Sequence, residues 1–249
     1  RSPSPWLNET LQGLAEQDSS DWNLIVVIHG DDVGLLDTVR ASGVPAEVLV
    51  VDAQLSLAEV LNSGLRICTA PYVARLDADD IPLPNRLRQQ QSCLKGNPDS
   101  ALAVSPALEI DDQGQVQGIR TVPSMPDVMI RSLAWKNRII HPATMFRREH
   151  VVSIGGYSST ARHVEDYELW LRLLTSYDVC IAPDPAIKYR LHHGQVTSTT
   201  VIDKNARDSI RKARLDFARA RGIPAPLARL QHALWSFRQV TRQIVRNLK

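Results

Sequence analysis

Two continuous apolar runs constrain the fold of this chain most. Leu24-Ile25-Val26-Val27-Ile28 closes on His29-Gly30-Asp31-Asp32, and Glu47-Val48-Leu49-Val50-Val51 follows after a helical stretch from Leu35 to Ala41. Apolar runs without polar alternation mark strands buried on both faces, the pattern of a parallel sheet covered by its crossover helices. Leu55–Ala70 then reads as a helix and Tyr72–Asp77 as a third strand. Strand and helix alternating at this spacing predict parallel βαβ units and an α/β fold. The 249 residues suffice for one large domain of this kind. No apolar run approaches the ~20 residues that span a bilayer.

The third strand ends in three carboxylates within four residues, Asp77-Ala78-Asp79-Asp80. Side chains alternate along a strand, so Asp77 and Asp79 are expected on one side of it. Like charges that close repel unless a cation sits between them. All-oxygen ligands suit Mg2+ or Mn2+, hard ions that commonly hold substrate phosphates as well. A second reading makes Asp79 and Asp80 caps of the next helix, since Ile81-Pro82-Leu83-Pro84 follows. A calcium loop is not matched: it needs Gly at its sharp turn and Glu at its twelfth position.

Around this core, Leu7–Gln17 and Leu87–Lys95 read as helices. Ala101–Ile110 and Gln115–Val122 flank a hairpin turn at Asp111-Asp112-Gln113-Gly114, and Ala143–Arg147 is a short strand. Glu165–Tyr177 is an amphipathic helix with Leu169, Trp170, Leu173 and Leu174 inward, followed by strands at Asp178–Ala182 and Ala186–Leu191. Glu165 and Asp166 open that helix. Carboxylates there are favoured by the helix dipole alone, but a transfer reaction also needs a base to take a proton from an acceptor hydroxyl.

The net charge of +2 hides an asymmetry. Lys204–Lys249 holds twelve Lys/Arg and two Asp, a net +10, which leaves −8 on residues 1–203. Gly222-Ile223-Pro224-Ala225-Pro226 divides this basic tail into two helices. In the second, Leu227, Leu230, Leu234, Phe237, Ile244 and Leu248 recur every three or four residues, and Arg238, Arg242 and Arg246 form a basic stripe. Its expected partner is an anionic membrane surface, or the catalytic body or a second subunit packed on the apolar face; no nucleic acid is expected. The three cysteines are far apart and odd in number, which predicts reduced thiols in a cytosol.

Several motifs occur in order: Asn62-Ser63-Gly64-Leu65; Ala74-Arg75-Leu76-Asp77-Ala78-Asp79-Asp80-Ile81 with Leu83-Pro84-Asn85-Arg86-Leu87; His141-Pro142-Ala143-Thr144-Met145-Phe146-Arg147 with Gly155-Gly156-Tyr157; Glu165-Asp166-Tyr167-Glu168-Leu169-Trp170; and Tyr189-Arg190-Leu191-His192 with Gln195-Val196-Thr197-Ser198. With them the chain resembles the family 2 glycosyltransferases of the GT-A fold, bacterial sugar transferases of polysaccharide and lipopolysaccharide assembly. The resemblance implies a mostly parallel, Rossmann-like sheet over residues 1–203, with residues 204–249 as a helical extension. It implies that Asp77 and Asp79, with Asp80, hold a nucleotide-sugar diphosphate through Mg2+ or Mn2+, with Asp77 also near the ribose. Asp166 becomes the general base of an inverting transfer, Glu165 lies beside it near a sugar, and His192 is a further metal ligand. It also implies a glycan or lipid-linked acceptor, while the thiols and the basic tail predict a cytoplasmic enzyme, peripheral on the inner face of the membrane. A nucleotide-sugar binding protein of the same fold without catalysis is the alternative.

Two departures from the family pattern stand out. The family's opening strand, which ends in a Pro-x-Tyr-Asn-like segment, is absent before Leu7, so an unpaired slot between strands, or a missing upstream segment, is expected. The Asp pair that usually contacts the base is replaced by Ile28-His29-Gly30-Asp31-Asp32, leaving Asp31 or Asp32 to substitute.

Overall fold

The computed structural model describes residues 5–192 and 202–247. Helix α1 (Leu7–Ala15) precedes strand β1 (Leu24–His29), helix α2 (Val33–Ala41), strand β2 (Ala46–Val51) and helix α3 (Leu57–Ile67). A capping box between Ser56 and Glu59 starts α3. β1 and β2 pair in parallel, in register from Leu24 against Ala46. A second sheet holds β3 (Tyr72–Ala74), β8 (Thr144–Arg147), β5 (Ser100–Val104) and β9 (Asp178–Ile181), in that spatial order. A third holds β4 (Ile81–Pro82), β10 (Ile187–Arg190), β6 (Ala107–Ile110) and β7 (Val116–Arg120).

The α/β architecture agrees with the sequence reading, and the sheets are mixed. β8 runs antiparallel to both β3 and β5, while β5 pairs with β9, and β6 with β10, in parallel. The apolar stretch Ala101–Ile110, expected as one strand, is two. Ser105 and Pro106 divide it, and the halves join different sheets; Pro106 has no N–H for a continuous ladder. The hairpin at Asp111–Gly114 forms as expected, with Gly114 at φ +81°.

The main core gathers on helix α7 (Glu165–Ser176). Trp170 and the leucines at 169, 171, 173 and 174 are wholly buried against β5 and helix α5 (Pro126–Leu133), an element the sequence pattern did not reveal. β5 is buried at every residue, whereas Leu24–Val27 of β1 are only half-buried, contrary to expectation. The reason lies in pairing. β1 has β2, and β3 has β8, as sole hydrogen-bonded strand neighbours among the described residues. The resemblance implies a central strand whose loss leaves an unpaired slot; in the structure β1 and β3 belong to separate sheets. Helix α3 nevertheless approaches β1 closely: a Cβ on Gly64 would meet Val27 Cγ2 at 2.9 Å.

Helix α4 (Arg86–Gly96) lies over β5 and β9, which brings Cys93 to within 6.2 Å of Cys180 between Cα atoms. The two are joined as a disulfide, correcting the expectation of reduced thiols; Cys68 is free. Eighty-seven residues separate the pair in sequence, so spacing alone did not reveal it. The argument from thiols to a cytosol loses its support.

The C-terminal helices α8 (Lys204–Ala220) and α9 (Ala225–Asn247) pack on this body. Ile210 and Phe217 of α8 enter the core beside α7. α9 turns Ala228, Gln231 and Trp235 inward and leaves Leu227, Leu230, Leu234 and Phe237 exposed, the last by 66%. Leu248 and the side chains of Arg242, Ile244 and Arg246 lie outside what the structure describes. No helix among the described residues is long and apolar enough to cross a membrane.

Candidate active site

The carboxylate run sits on a turn rather than a strand. β3 ends at Ala74, and the Asp80 N–H donates to the Asp77 carbonyl at 3.3 Å before β4 begins. The simple alternation expected for Asp77 and Asp79 therefore does not apply. The turn instead gathers all three acids: one oxygen each from Asp77, Asp79 and Asp80 lie within 4.8 Å of one another. The capping reading fails, because α4 starts at Arg86 behind Asn85, far from Asp79 and Asp80 along the chain.

Each acid has a different environment. Asp77 pairs with the Arg75 guanidinium. Asp79 Oδ2 meets His192 Nε2 at 2.9 Å, so the structure brings that expected ligand to the cluster. Asp80 is 1% exposed; its Oδ1 accepts the Arg190 N–H at 2.9 Å, and its Oδ2 is buried without a partner. Burial, then the charge of Asp77, pushes the Asp80 carboxyl up to about 8. The buried Arg190 side chain ties the turn to its surroundings, donating to the Asp79 carbonyl at 3.0 Å and to Glu9 of α1 at 2.8 Å. Beneath the turn, the Arg86 side chain donates to the carbonyls of Arg75 and Thr144, and burial lowers its pKa to about 10.

These donors fit a hard divalent cation. They are oxygens with one imidazole, three carboxylates converge within 4.8 Å, and the orphaned Asp80 Oδ2 lacks the partner that a buried carboxylate oxygen requires.

The second cluster lies at the start of α7. Asp166 is half-buried, and its Oδ2 accepts the Asn137 amide at 2.8 Å. Burial pushes it up to about 6, opposed by hydrogen bonds from the Tyr167 N–H and Asn137 and assisted by the charge of Glu165. Glu165 is 5% exposed at the first position of the helix. The buried Glu168 forms an ion pair with Arg172 at 2.7 Å, and Arg172 also donates to the carbonyls of Ile154 and Gly156, so this acid serves the fold.

His141 Nε2 lies 2.9 Å from the Tyr157 hydroxyl. Burial, then the charge of Arg75, lowers the imidazole to about 3, so it is neutral at physiological pH. Burial also raises the Tyr157 phenol; the charge of Arg75 opposes the rise, and those of Asp166 and Asp77 add to it. Asn62 clamps Tyr157 at both backbone groups, at 2.8 and 2.9 Å. A Cβ on Gly156 would strike Asn62 Oδ1 at 2.5 Å, and Gly156 has φ +67°; the Asn62 and Gly155-Gly156-Tyr157 motifs thus meet as one structural unit.

Asp31 is exposed after β1, and Asp32 caps α2 by accepting the Leu35 N–H at 3.2 Å. No hydrogen bond or ion pair links either to the carboxylate turn among the described residues. Gln195–Ser198 lies outside the described residues. Sequence reasoning missed Asn137, Glu9 and the buried part of Arg190, which have no local pattern. It passed over Arg75, whose place two residues before Asp77 was the available signal.

Comparison with known proteins agrees with this geometry. The family described as glycosyl transferase family 2 matches residues 2–169. The amylovoran biosynthesis glycosyltransferase AmsE of Erwinia amylovora is 30% identical over 188 residues, covering 74% of this chain and 70% of its own length. The O-antigen biosynthesis glycosyltransferase WbnJ of Escherichia coli is 28% identical, over 68% of this chain and 66% of its own. Among solved structures, S. aureus TarS 1–349 in complex with UDP-GlcNAc aligns with TM-score 0.69 at 14% identity, covering 90% of this chain and 68% of that one. The mannosyltransferase PcManGT of Pyrobaculum calidifontis, in complex with GDP-Man and Mn2+, aligns with TM-score 0.60 at 17% identity, covering 99% and 84%. These two likenesses concern the fold, which is GT-A. The family match spans more than half of the sequence, and the chain belongs to the family 2 glycosyl transferases.

Proposed function

We propose that this chain is a metal-dependent, inverting glycosyltransferase that moves a sugar from a UDP-sugar to a hydroxyl of a glycan or lipid-linked acceptor in polysaccharide assembly. One observation carries the reading: the turn after β3 gathers one oxygen each from Asp77, Asp79 and Asp80 within 4.8 Å of one another and leaves Asp80 Oδ2 buried without a partner. The UDP-GlcNAc held by TarS and the GDP-Man and Mn2+ held by PcManGT support it.

Asp77, Asp79 and Asp80, with His192, would hold Mg2+ or Mn2+ at the diphosphate. When bound, the ion neutralises charge that grows on the leaving phosphate. Asp166 takes the proton of the incoming hydroxyl while the acceptor oxygen bonds to the anomeric carbon and the carbon–phosphate-oxygen bond breaks. Attack opposite to the leaving group inverts that centre. Asn137 orients the base, and Glu165 lines the sugar beside it. For the nucleotide base, Asp31 is the better placed of the two aspartates, because Asp32 already spends an oxygen on its helix cap. Nucleotide release from a panel of nucleotide sugars, measured with and without Mn2+, tests this. Release that requires Mn2+ is expected; donor binding without any release would favour the non-catalytic alternative.

The same enzyme would act at the inner membrane surface. The apolar stripe of α9 faces solvent, within a segment of net +10. A second copy would set like charge against like charge, whereas an anionic bilayer complements it, at about 1 kcal/mol per basic residue near the surface. Flotation with phosphatidylcholine vesicles, with and without phosphatidylglycerol, should show binding to the anionic vesicles only, weakened by salt. The double substitution Leu230→Glu, Phe237→Glu should abolish it. A dimer in light scattering that these substitutions dissociate, without vesicle binding by the parent, would overturn the membrane reading.

A further inference from the structure

Arg75 leads into the carboxylate turn and sends its guanidinium into the cluster. There it pairs with Asp77 and donates to the Leu76 carbonyl, while its Nε is buried with no partner. The side chain is 20% exposed, so the site's solvent reaches it. Its backbone is held firmly: the Arg75 N–H donates to the Thr144 carbonyl at 3.1 Å, and its own carbonyl accepts from the buried Arg86. Only the side chain has freedom to move.

We propose that Arg75 is an exchangeable counter-ion. It occupies Asp77 when no metal is bound, yields that oxygen to the divalent ion, and turns its guanidinium onto the donor's diphosphate. The proposal rests on the metal reading given above. A guanidinium and a divalent ion both draw on the Asp77 carboxylate and repel each other beside it, so binding of the ion disfavours the Arg75 pair. Once displaced, the planar fork fits phosphate oxygens in a bidentate manner, which an ammonium cannot copy. Because the backbone at Arg75 is fixed, the displaced group stays beside the metal, where the diphosphate would lie. An arginine of purely structural role would weaken both ligands when removed. An exchangeable one gives opposite signs: metal binds tighter without its competitor, and nucleotide binds more weakly without its fork.

Arg75→Met keeps the aliphatic stem and removes the charge; Arg75→Lys keeps the charge and removes the fork. Mn2+ alone is titrated by the electron paramagnetic resonance of the free ion, and UDP by calorimetry at saturating Mn2+. Arg75→Met should bind Mn2+ on the order of tenfold more tightly and UDP on the order of tenfold more weakly than the parent. Arg75→Lys should keep near-parental Mn2+ affinity and fall between for UDP. Circular dichroism and a melting curve check each fold; should Arg75→Met not fold, Arg75→Gln makes the same comparison. Changes of the same sign for both ligands, or no change in either one, overturn the proposal. A parent chain that binds no Mn2+ sinks the metal reading and the exchange together, whereas a parent that binds it with Arg75→Met unaltered sinks the exchange alone.

Discussion

The two acidic clusters differ in how the protein compensates their charge. At the start of α7, the compensating partners are groups of the protein itself. Glu168 has Arg172, Asp166 has the Asn137 amide and the Tyr167 N–H, and the helix dipole favours all of them. At the turn after β3, three carboxylate oxygens converge within 4.8 Å, and a buried oxygen of Asp80 is left without a partner. The contrast fits the two tasks proposed above, a single tuned base in the first cluster and a cation from outside at the second.

The sharpest way to break this comparison is to remove an acid from the turn. Asp79→Ala deletes the carboxylate that His192 contacts and should abolish Mn2+-dependent UDP binding, while the metal-free protein keeps its fold because one repelling charge is gone. Calorimetry with and without Mn2+ reads it. Unchanged UDP affinity and unchanged metal dependence would mean that the turn, like the α7 cluster, is internally balanced.

The next largest effect belongs to Asp166. Asp166→Asn preserves shape and removes the proton acceptor, so turnover should fall by a factor on the order of 10²–10⁴ with donor affinity nearly unchanged. The parent's turnover should rise with pH through a midpoint near 6, as Asp166 ionises. Stability carries the opposite sign. The folded carboxyl is raised above its unfolded value, so its contribution is fully present below about pH 4 and is lost as pH rises through about 6. Asp166→Asn should remove that slope from the melting temperature, and full activity in this variant would move the base elsewhere.

What the sequence made legible follows from where each interaction lies along the chain. The α/β alternation was readable because its apolar runs are local, and the acids of both clusters were readable because they are neighbours in sequence. The direction of β8 between β3 and β5 has no local signature, whereas the division of Ala101–Ile110 had one in Pro106, which the continuing apolar pattern outweighed. The partners that tune the acids come from afar: Asn137 lies 29 residues before Asp166, and Arg190 lies 110 after Asp80. The apolar stripe of α9 was visible as a period, but not the side it faces. That side is set by Trp235, which buries against Tyr167 and Arg214 and turns the leucines outward.

The smallest expected effect refines the comparison at the well-compensated cluster. Asn137→Ala removes the side-chain hydrogen bond to Asp166 and leaves the acid in place. That bond favours the ionised carboxylate, so its loss should raise the Asp166 pKa above about 6 and move the pH–rate midpoint to the alkaline side, by about one unit for a bond worth ~1.4 kcal/mol. At neutral pH a smaller fraction of the base is ionised, and turnover should drop a few-fold. Well above the new midpoint, the base is fully ionised and intrinsically stronger, so the deficit should shrink or reverse unless Asn137 also fixes the carboxylate's direction. A deficit that stays constant across the whole pH range would assign Asn137 to orientation alone. A shift of the midpoint would show that this cluster tunes its base through hydrogen bonding, in contrast to the cation proposed for the turn after β3.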